Sequence, residues 1–202
     1  MFDDASRRRQ VGRVSVVTPA TTDILTAAEA KAHLRVETSS DDALITELIK
    51  AATEELDPPR GWLGRSLITR TLRLTLDAFP PDVLYLPGPP VTSVSSVKYR
   101  DTNDVIQTLD VSLYLTDLIA EPALLWIGDD GWPDAIMGGP DTVRIDYVAG
   151  YANAAAIPHA IRQWLLIRIG DLYRDREGTV LNATPAIVGH VDHMLDNWRI
   201  RA

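Results

Sequence analysis

The chain has 202 residues, of which 46% are hydrophobic and 24% charged. That is globular usage, which excludes a disordered chain and fits one domain or a core domain carrying a sizeable insert. It contains no cysteine, which removes disulfide frameworks, thiolate metal sites and cysteine nucleophiles together and fits a protein made in a reducing cytosol. A formal net charge of −8 argues against a DNA-grasping surface, because such surfaces gain affinity by neutralising phosphates with Lys and Arg.

At the N-terminus Arg7, Arg8 and Arg9 precede a short mixed segment with no apolar stretch of signal-peptide length, so no export signal is expected. No apolar run approaches the ~20 residues that span a bilayer, and no membrane segment is expected. Thr26 and Glu29 stand three apart in the spacing of a capping box, which predicts a short helix running through Leu34. Next, Ser39, Ser40 and Asp41 are N-cap candidates for a helix whose apolar residues Leu44, Ile45, Leu48, Ile49, Ala52 and Leu56 share one face of a 3.6-residue period. Pro58 and Pro59, which cannot donate a backbone hydrogen bond, end it.

From Ser66 to about Tyr147 the pattern turns to short β-branched and alternating runs, which read as antiparallel strands at Ile68–Leu76, Val83–Leu86, Ser93–Arg100, Ser112–Leu115, Leu124–Ile127 and Val143–Val148. The breaks between them are Pro- and Gly-rich turn chemistry. Helical periodicity returns at Pro158 and runs to about Glu177, with Gly178 suited to its end. Ile157, Ile161, Trp164, Leu165 and Leu172 form one stripe of this helix, while Leu166 and Ile167 lie outside it. More than one apolar face on a surface helix points to a neighbouring subunit. Arg168 falls within the stripe, where a guanidinium either pairs with an acidic group or extends its head to water over a packed stem. The tail, from Thr179, holds a possible last helix from about Pro185 to Trp198 with too little apolar content to fold alone.

The fold class expected is therefore α+β: a helical core of two N-terminal helices (25–65) and one long C-terminal helix (157–178), an antiparallel β-rich insert (66–150), and a tail (179–202), all within one domain of 1–202.

Chemistry-bearing motifs are few. His190 and His193, three apart beside Asp192 and Asp196, could face one metal, but spacing places no third ligand and a solvated helix face explains them. There is no GxSxG elbow, phosphate-binding loop, dinucleotide fingerprint or HExxH pair. The acidic pairs at Asp129–Asp130 and at Asp171, Asp175 and Glu177 read as solvated turns and helix faces, since carboxylates alone specify no reaction. No catalytic residue, cofactor or metal is expected, and the chain reads as a non-enzyme. A small hydrolase or carbohydrate-binding module, with Trp126, Trp132 and Tyr114 as an aromatic platform, is a further reading from a different class; core aromatics are the commoner explanation of such residues.

Five stretches in order resemble the head-tail connector or adaptor proteins of long-tailed phages, prophages and gene transfer agents. The first is LTAAEAKAHLRVETSSDDALITELIKAATEEL, with its Leu25, Thr26, Glu29, Ala30, Lys31, His33, Leu34 and Arg35 pattern. GRSLITRTLRLTLDAFP follows, carrying Gly64, Arg65, Leu67, Ile68, Thr69 and Thr71. LPGPPVTSVSSVKYRD, the run from Val143 to Glu177, and LDNWR complete the series, so the resemblance covers about Leu25 to Arg199. Arg168 stands where that family usually has an aliphatic residue, and Trp198 where a Tyr is common. The resemblance implies a structural adaptor of the virion's head-tail junction, made in the host cytoplasm. It implies a ring of 12 subunits under the portal protein that extends the DNA channel, with DNA only as non-specific cargo and a stopper or tail-completion protein as the further partner. A stopper or tail-completion ring protein of the same neck is the alternative. Under this reading Leu166, Ile167 and Arg168 lie at the ring interface, and Ile187, Val191, Leu195, Trp198, Arg199, Ile200 and Arg201 on the tail meet the portal.

Overall fold

A computed structural model describes residues 12–57, 61–81, 83–128, 131–133, 136–175 and 193–200. They form three α-helices and antiparallel β-sheets, the α+β class expected. The chain divides into two compact units, one helical, formed by Thr21–Ile68 and Tyr151–Arg199, and one of strands, formed mainly by Thr69–Gly150.

The helical unit begins with α1 (Ala27–Leu34), whose N-terminus is the expected capping box: the Glu29 N–H donates to Thr26 Oγ1 at 3.2 Å, and the Thr26 N–H donates to Glu29 Oε2 at 2.8 Å. The Thr26 N–H and the Thr26 hydroxyl, both donating to the Glu29 carboxylate at 2.8 Å, with the Arg162 guanidinium nearby, hold that carboxyl below its ordinary range. The second helix, α2 (Asp42–Leu56), starts at Asp41 and buries Ile45, Ile49, Ala52 and Leu56, the i, i+4, i+7 and i+11 positions of the predicted face. Leu44 and Leu48 flank that face half-buried. The long helix, α3 (His159–Arg174), is preceded by Pro158 and buries Ile161, Trp164, Leu165 and Ile169. Leu172, placed in the stripe by the sequence, is half-buried, and Ile169 one turn after Leu165 takes the core position instead. Glu177 and Gly178, the expected end, lie outside the described residues; the helix is complete at Arg174. All three helices contact one another.

In the other unit a five-stranded sheet has the order β1-β2-β8-β4-β5, from β1 (Gly12–Thr18), β2 (Arg70–Leu76), β8 (Val143–Ala149), β4 (Val91–Arg100) and β5 (Ile106–Thr108). A three-stranded sheet has the order β3-β7-β6, from β3 (Val83–Leu86), β7 (Ala123–Ile127) and β6 (Tyr114–Asp117). Every pairing is antiparallel. Strands β2 and β8 alternate strictly, burying Leu72, Leu74 and Leu76 and Val143, Ile145, Tyr147 and Ala149, the period-2 pattern of one face on a core. That core is completed by Leu84, Leu86 and Leu125 of the smaller sheet. Tyr147 reaches through it to donate to the Pro87 carbonyl at 2.8 Å, and burial pushes its phenol far above the ordinary value. On the opposite face of the larger sheet Arg73 meets Asp146 in a two-pronged ion pair of 2.7 and 2.8 Å.

Candidate assembly surfaces

Three regions bear on assembly. On the long helix, Arg168 makes a forked ion pair with Glu55 of α2, with Nε and Nη2 each within 2.8–3.1 Å of the carboxylate. The acidic partner implied by a guanidinium on this helix is thus Glu55. Both side chains are partly exposed, at 38% and 40%, so the pair lies at the rim of the helical core and not in the middle of the apolar stripe. Leu166 and Ile167 are half-buried. Neither is among the exposed large hydrophobics. Leu166 lines a shallow open groove with His159, Ala160, Arg162, Gln163 and Met194. Arg162 is held there by Glu29 and by the Ala154 carbonyl at 3.0 Å.

The second region is the tail. Of its expected portal anchors, Ile187, Val191 and Arg201 lie outside the described residues. Leu195 is fully buried, a correction to its placing as a docking residue, because a side chain spent on its own unit has no surface left to offer. The turns around it are tied down twice: Arg65 Nε, a nearly buried donor, reaches the Trp198 carbonyl at 3.0 Å, and the Arg199 guanidinium lies 4.4 Å from the centroid of the Trp62 ring. Trp198 and Ile200 are half-exposed and Arg199 exposed.

Sequence reasoning missed the third region. Strand β6 is the outer strand of its sheet, so one row of its backbone N–H and C=O groups lacks a strand partner among the described residues. A single 3-10 turn at Val111–Leu113 leads into it. Tyr114 points inward and is buried, while Val111, Leu113, Leu115 and Ile119 are 71%, 41%, 59% and 94% exposed. Of these only Leu115 lies on β6; Val111 and Leu113 belong to the turn before the strand and Ile119 to the bend after it, so apolar side chains flank the strand edge at both ends. Soluble proteins usually blunt an edge strand with charge, proline or cover, and this one presents apolar side chains. The sequence carries no clear signal for it, because Val111 to Leu113 form a 3-10 turn and the strand itself is only four residues long.

The remaining candidates bring no chemistry together. His193 Nδ1 lies 2.9 Å from Asp196 Oδ2, a local pair, and His190 and Asp192 are outside the described residues. Among the described residues no three metal-ligating side chains converge. The aromatic platform is not assembled: Tyr114 is buried, and Trp132 stacks on Phe79 at 4.3 Å against the core. No described helix is long and apolar enough to cross a membrane.

Residues 25–107 match the family model of the phage gp6-like head-tail connector proteins. Among curated proteins none matches the chain. Among solved structures, a chain from the neck of an empty gene transfer agent (GTA) particle, computed with C6 symmetry, superposes with a TM-score of 0.75 at 25% identity, covering 94% of this chain and 97% of that one. A chain from the virion of a native GTA particle gives 0.74 at 23% identity over 94% and 96%. One from the native neck computed with C12 symmetry gives 0.68 at 23% over 94% and 97%. The last two share the fold. The resemblance read from the sequence is borne out: residues 25–107 match the model of the phage gp6-like head-tail connector family, and the whole fold is similar to that of gene transfer agent neck chains.

Proposed function

We propose that the chain is a head-tail adaptor subunit of a tailed-phage or gene-transfer-agent particle, which assembles into a ring at the neck and has no catalytic role. The observation that carries this reading is the end-to-end correspondence with a neck protein, 94% of this chain on 97% of the other at a TM-score of 0.75. The two symmetric necks support a ring, of which 12 copies is the proposed number. A net charge of −8 suits a wall past which DNA moves, because like charge opposes sticking. In this reading the portal protein lies on one side of the ring and a stopper or tail-completion protein on the other. Trp198, Arg199 and Ile200 are the portal-facing part of the tail, with Ile187, Val191 and Arg201 joining them, and Leu195 is the pin that fixes it. Leu166 and Ile167 border the groove on the long helix and contribute to the ring contact beside the Arg168–Glu55 pair.

Deletion of the gene in a particle-producing host tests the proposal. The expected result is DNA-filled or leaking heads without tails in electron micrographs, restored by the gene in trans, with the chain detected in purified wild-type particles. Normal tailed particles from the deletion strain would overturn it.

A further inference from the structure

The apolar strip on β6 needs an occupant, and the β unit itself offers one. Its larger sheet ends in a second open edge, β1, which is last in the order β1-β2-β8-β4-β5. That strand is exposed at every position except Val14 and is held by its pairing with β2 alone among the described residues. From Gly12 to Val16 its register is regular, and the extra residue at Val17 leaves Val16 and Val17 both uncovered.

The two edges are complementary in charge. Residues 110–121 carry Asp110, Asp117 and Glu121 and no basic residue, whereas residues 12–18 carry Arg13 and no acid. Hydrogen bonds from Ser112 hold the Asp110 carboxyl below its ordinary range, so it stays ionised. Arg13 is exposed and reaches Asp77 at only 3.4 Å, a loose surface pair that a better partner can displace. Pairing β6 with β6 of a second copy would set acids beside acids, which is unfavourable across strands, and would give a closed two-fold dimer. Pairing β6 with β1 joins two different patches, the arrangement a ring requires.

We infer that the β6 edge, Tyr114–Asp117, with the exposed apolar side chains of Val111, Leu113 and Ile119 at its two ends, is the docking site for the β1 edge of the next copy of this chain, which adds a strand to the three-stranded sheet and sets Arg13 against Asp110 or Asp117. This rests on the proposed ring and names one of its contacts. It also explains why an exposed apolar edge is tolerated: the assembled particle covers it, and backbone hydrogen bonds, not side-chain chemistry, supply most of the contact.

The absence of cysteine from the chain makes a direct test available in whole particles. Ser15→Cys or Val16→Cys is combined with Leu115→Cys or Thr116→Cys, four double variants that sample both faces and neighbouring registers; facing residues on paired strands have Cβ atoms about 4.5–5.5 Å apart, close to disulfide range. Purified particles are oxidised and run on a non-reducing gel. At least one double variant should give a ladder of multimers reaching the ring, with no ladder from the parent chain or the single variants. A dimer from Leu115→Cys alone means two-fold β6 pairing and overturns the inference. So does the chain's presence in particles without a ladder from any pair, while the ring proposal stands; its absence from wild-type particles overturns the adaptor proposal itself. As a second readout, Leu115→Lys, which sets a cation opposite Arg13, should lower incorporation into particles by more than about tenfold with an unchanged melting temperature, and undiminished incorporation counts against the contact.

Discussion

Gly61 closes the turn after α2, where its N–H donates to the Asp57 carbonyl at 2.9 Å and Asp57 in turn accepts the Leu67 N–H at 2.9 Å. A Cβ at Gly61 would fall 2.1 Å from the Leu56 carbonyl carbon and the Asp57 nitrogen, both backbone atoms that cannot move aside without breaking this turn. Gly170, on α3, is the opposite case: its nearest neighbour, Leu34 Cδ2, lies 3.8 Å from the Cβ position, an ordinary contact. The same substitution should therefore have opposite signs. Gly61→Ala is expected to destabilise by about 1–3 kcal/mol as an overpacked site, and Gly170→Ala to stabilise by up to about 1 kcal/mol through helix propensity. Urea denaturation of both variants checks this, and a neutral Gly61→Ala would mean the turn relaxes freely. Neither sign was readable from sequence, since both residues are simply glycines near helices. The capping box was readable, because its partners lie three residues apart and need no tertiary information. The Arg168 pairing was legible only by half: desolvation demands an acid, but which acid depends on α2 lying alongside α3.

Elements show the same division between local and long-range information. Strands β2 and β8 and helices α2 and α3 follow from periodicity, because each buries one face on a core; β3, β4 and β7 follow from short apolar or β-branched runs between turns, and α1 from its capping box. Strands β1 and β5 were missed. The first is exposed everywhere but Val14 and so has little alternation to read, and it exists through a ladder to β2 more than fifty residues on; the other is only three residues long. The tail failed for the same reason in reverse. Its sparse apolar content argued for a segment waiting on a partner, yet Leu195 alone is enough to seat residues 193–200 once Arg65 and Trp62 provide a carbonyl donor and an aromatic face. Leu195→Ala should accordingly cost the free subunit about 2–5 kcal/mol, the usual range for a fully buried leucine, seen as a lower denaturation midpoint. A cost under about 0.5 kcal/mol, the level of an ordinary surface change, would show that this turn is not part of the folded subunit and would return Leu195 to the docking surface.

At the scale of the whole molecule, the segment from Thr69 to Gly150, which supplies every strand of the β unit except β1, leaves and re-enters the helical sequence at neighbouring points. Arg70 and Ala149 are paired partners on β2 and β8, and antiparallel partners have Cα atoms about 4.5–5.5 Å apart. The helical sequence before residue 69 and the helical sequence after residue 150 thus meet across a gap that a turn of about four residues can close. The helical unit also owns a core of its own, with Leu25, Ile45, Ile49, Leu56, Ile161 and Leu165 all 3% exposed or less, and its charged contacts, Arg168 to Glu55 and Arg162 to Glu29, stay within it. A chain reduced to residues 21–70 and 149–202 joined by a short Gly-rich turn is therefore expected to fold, with a helix-dominated circular dichroism spectrum and a single cooperative melt. The closeness of these paired ends, not their exposure, is what favours removal of the segment between them. The shortened chain lacks both β1 and β6, so it should keep its fold and yet fail to replace the full chain in tailed particles. A non-cooperative or strand-rich product would mean that the helical unit depends on the sheets, and loss of assembly could then no longer be assigned to the missing edges.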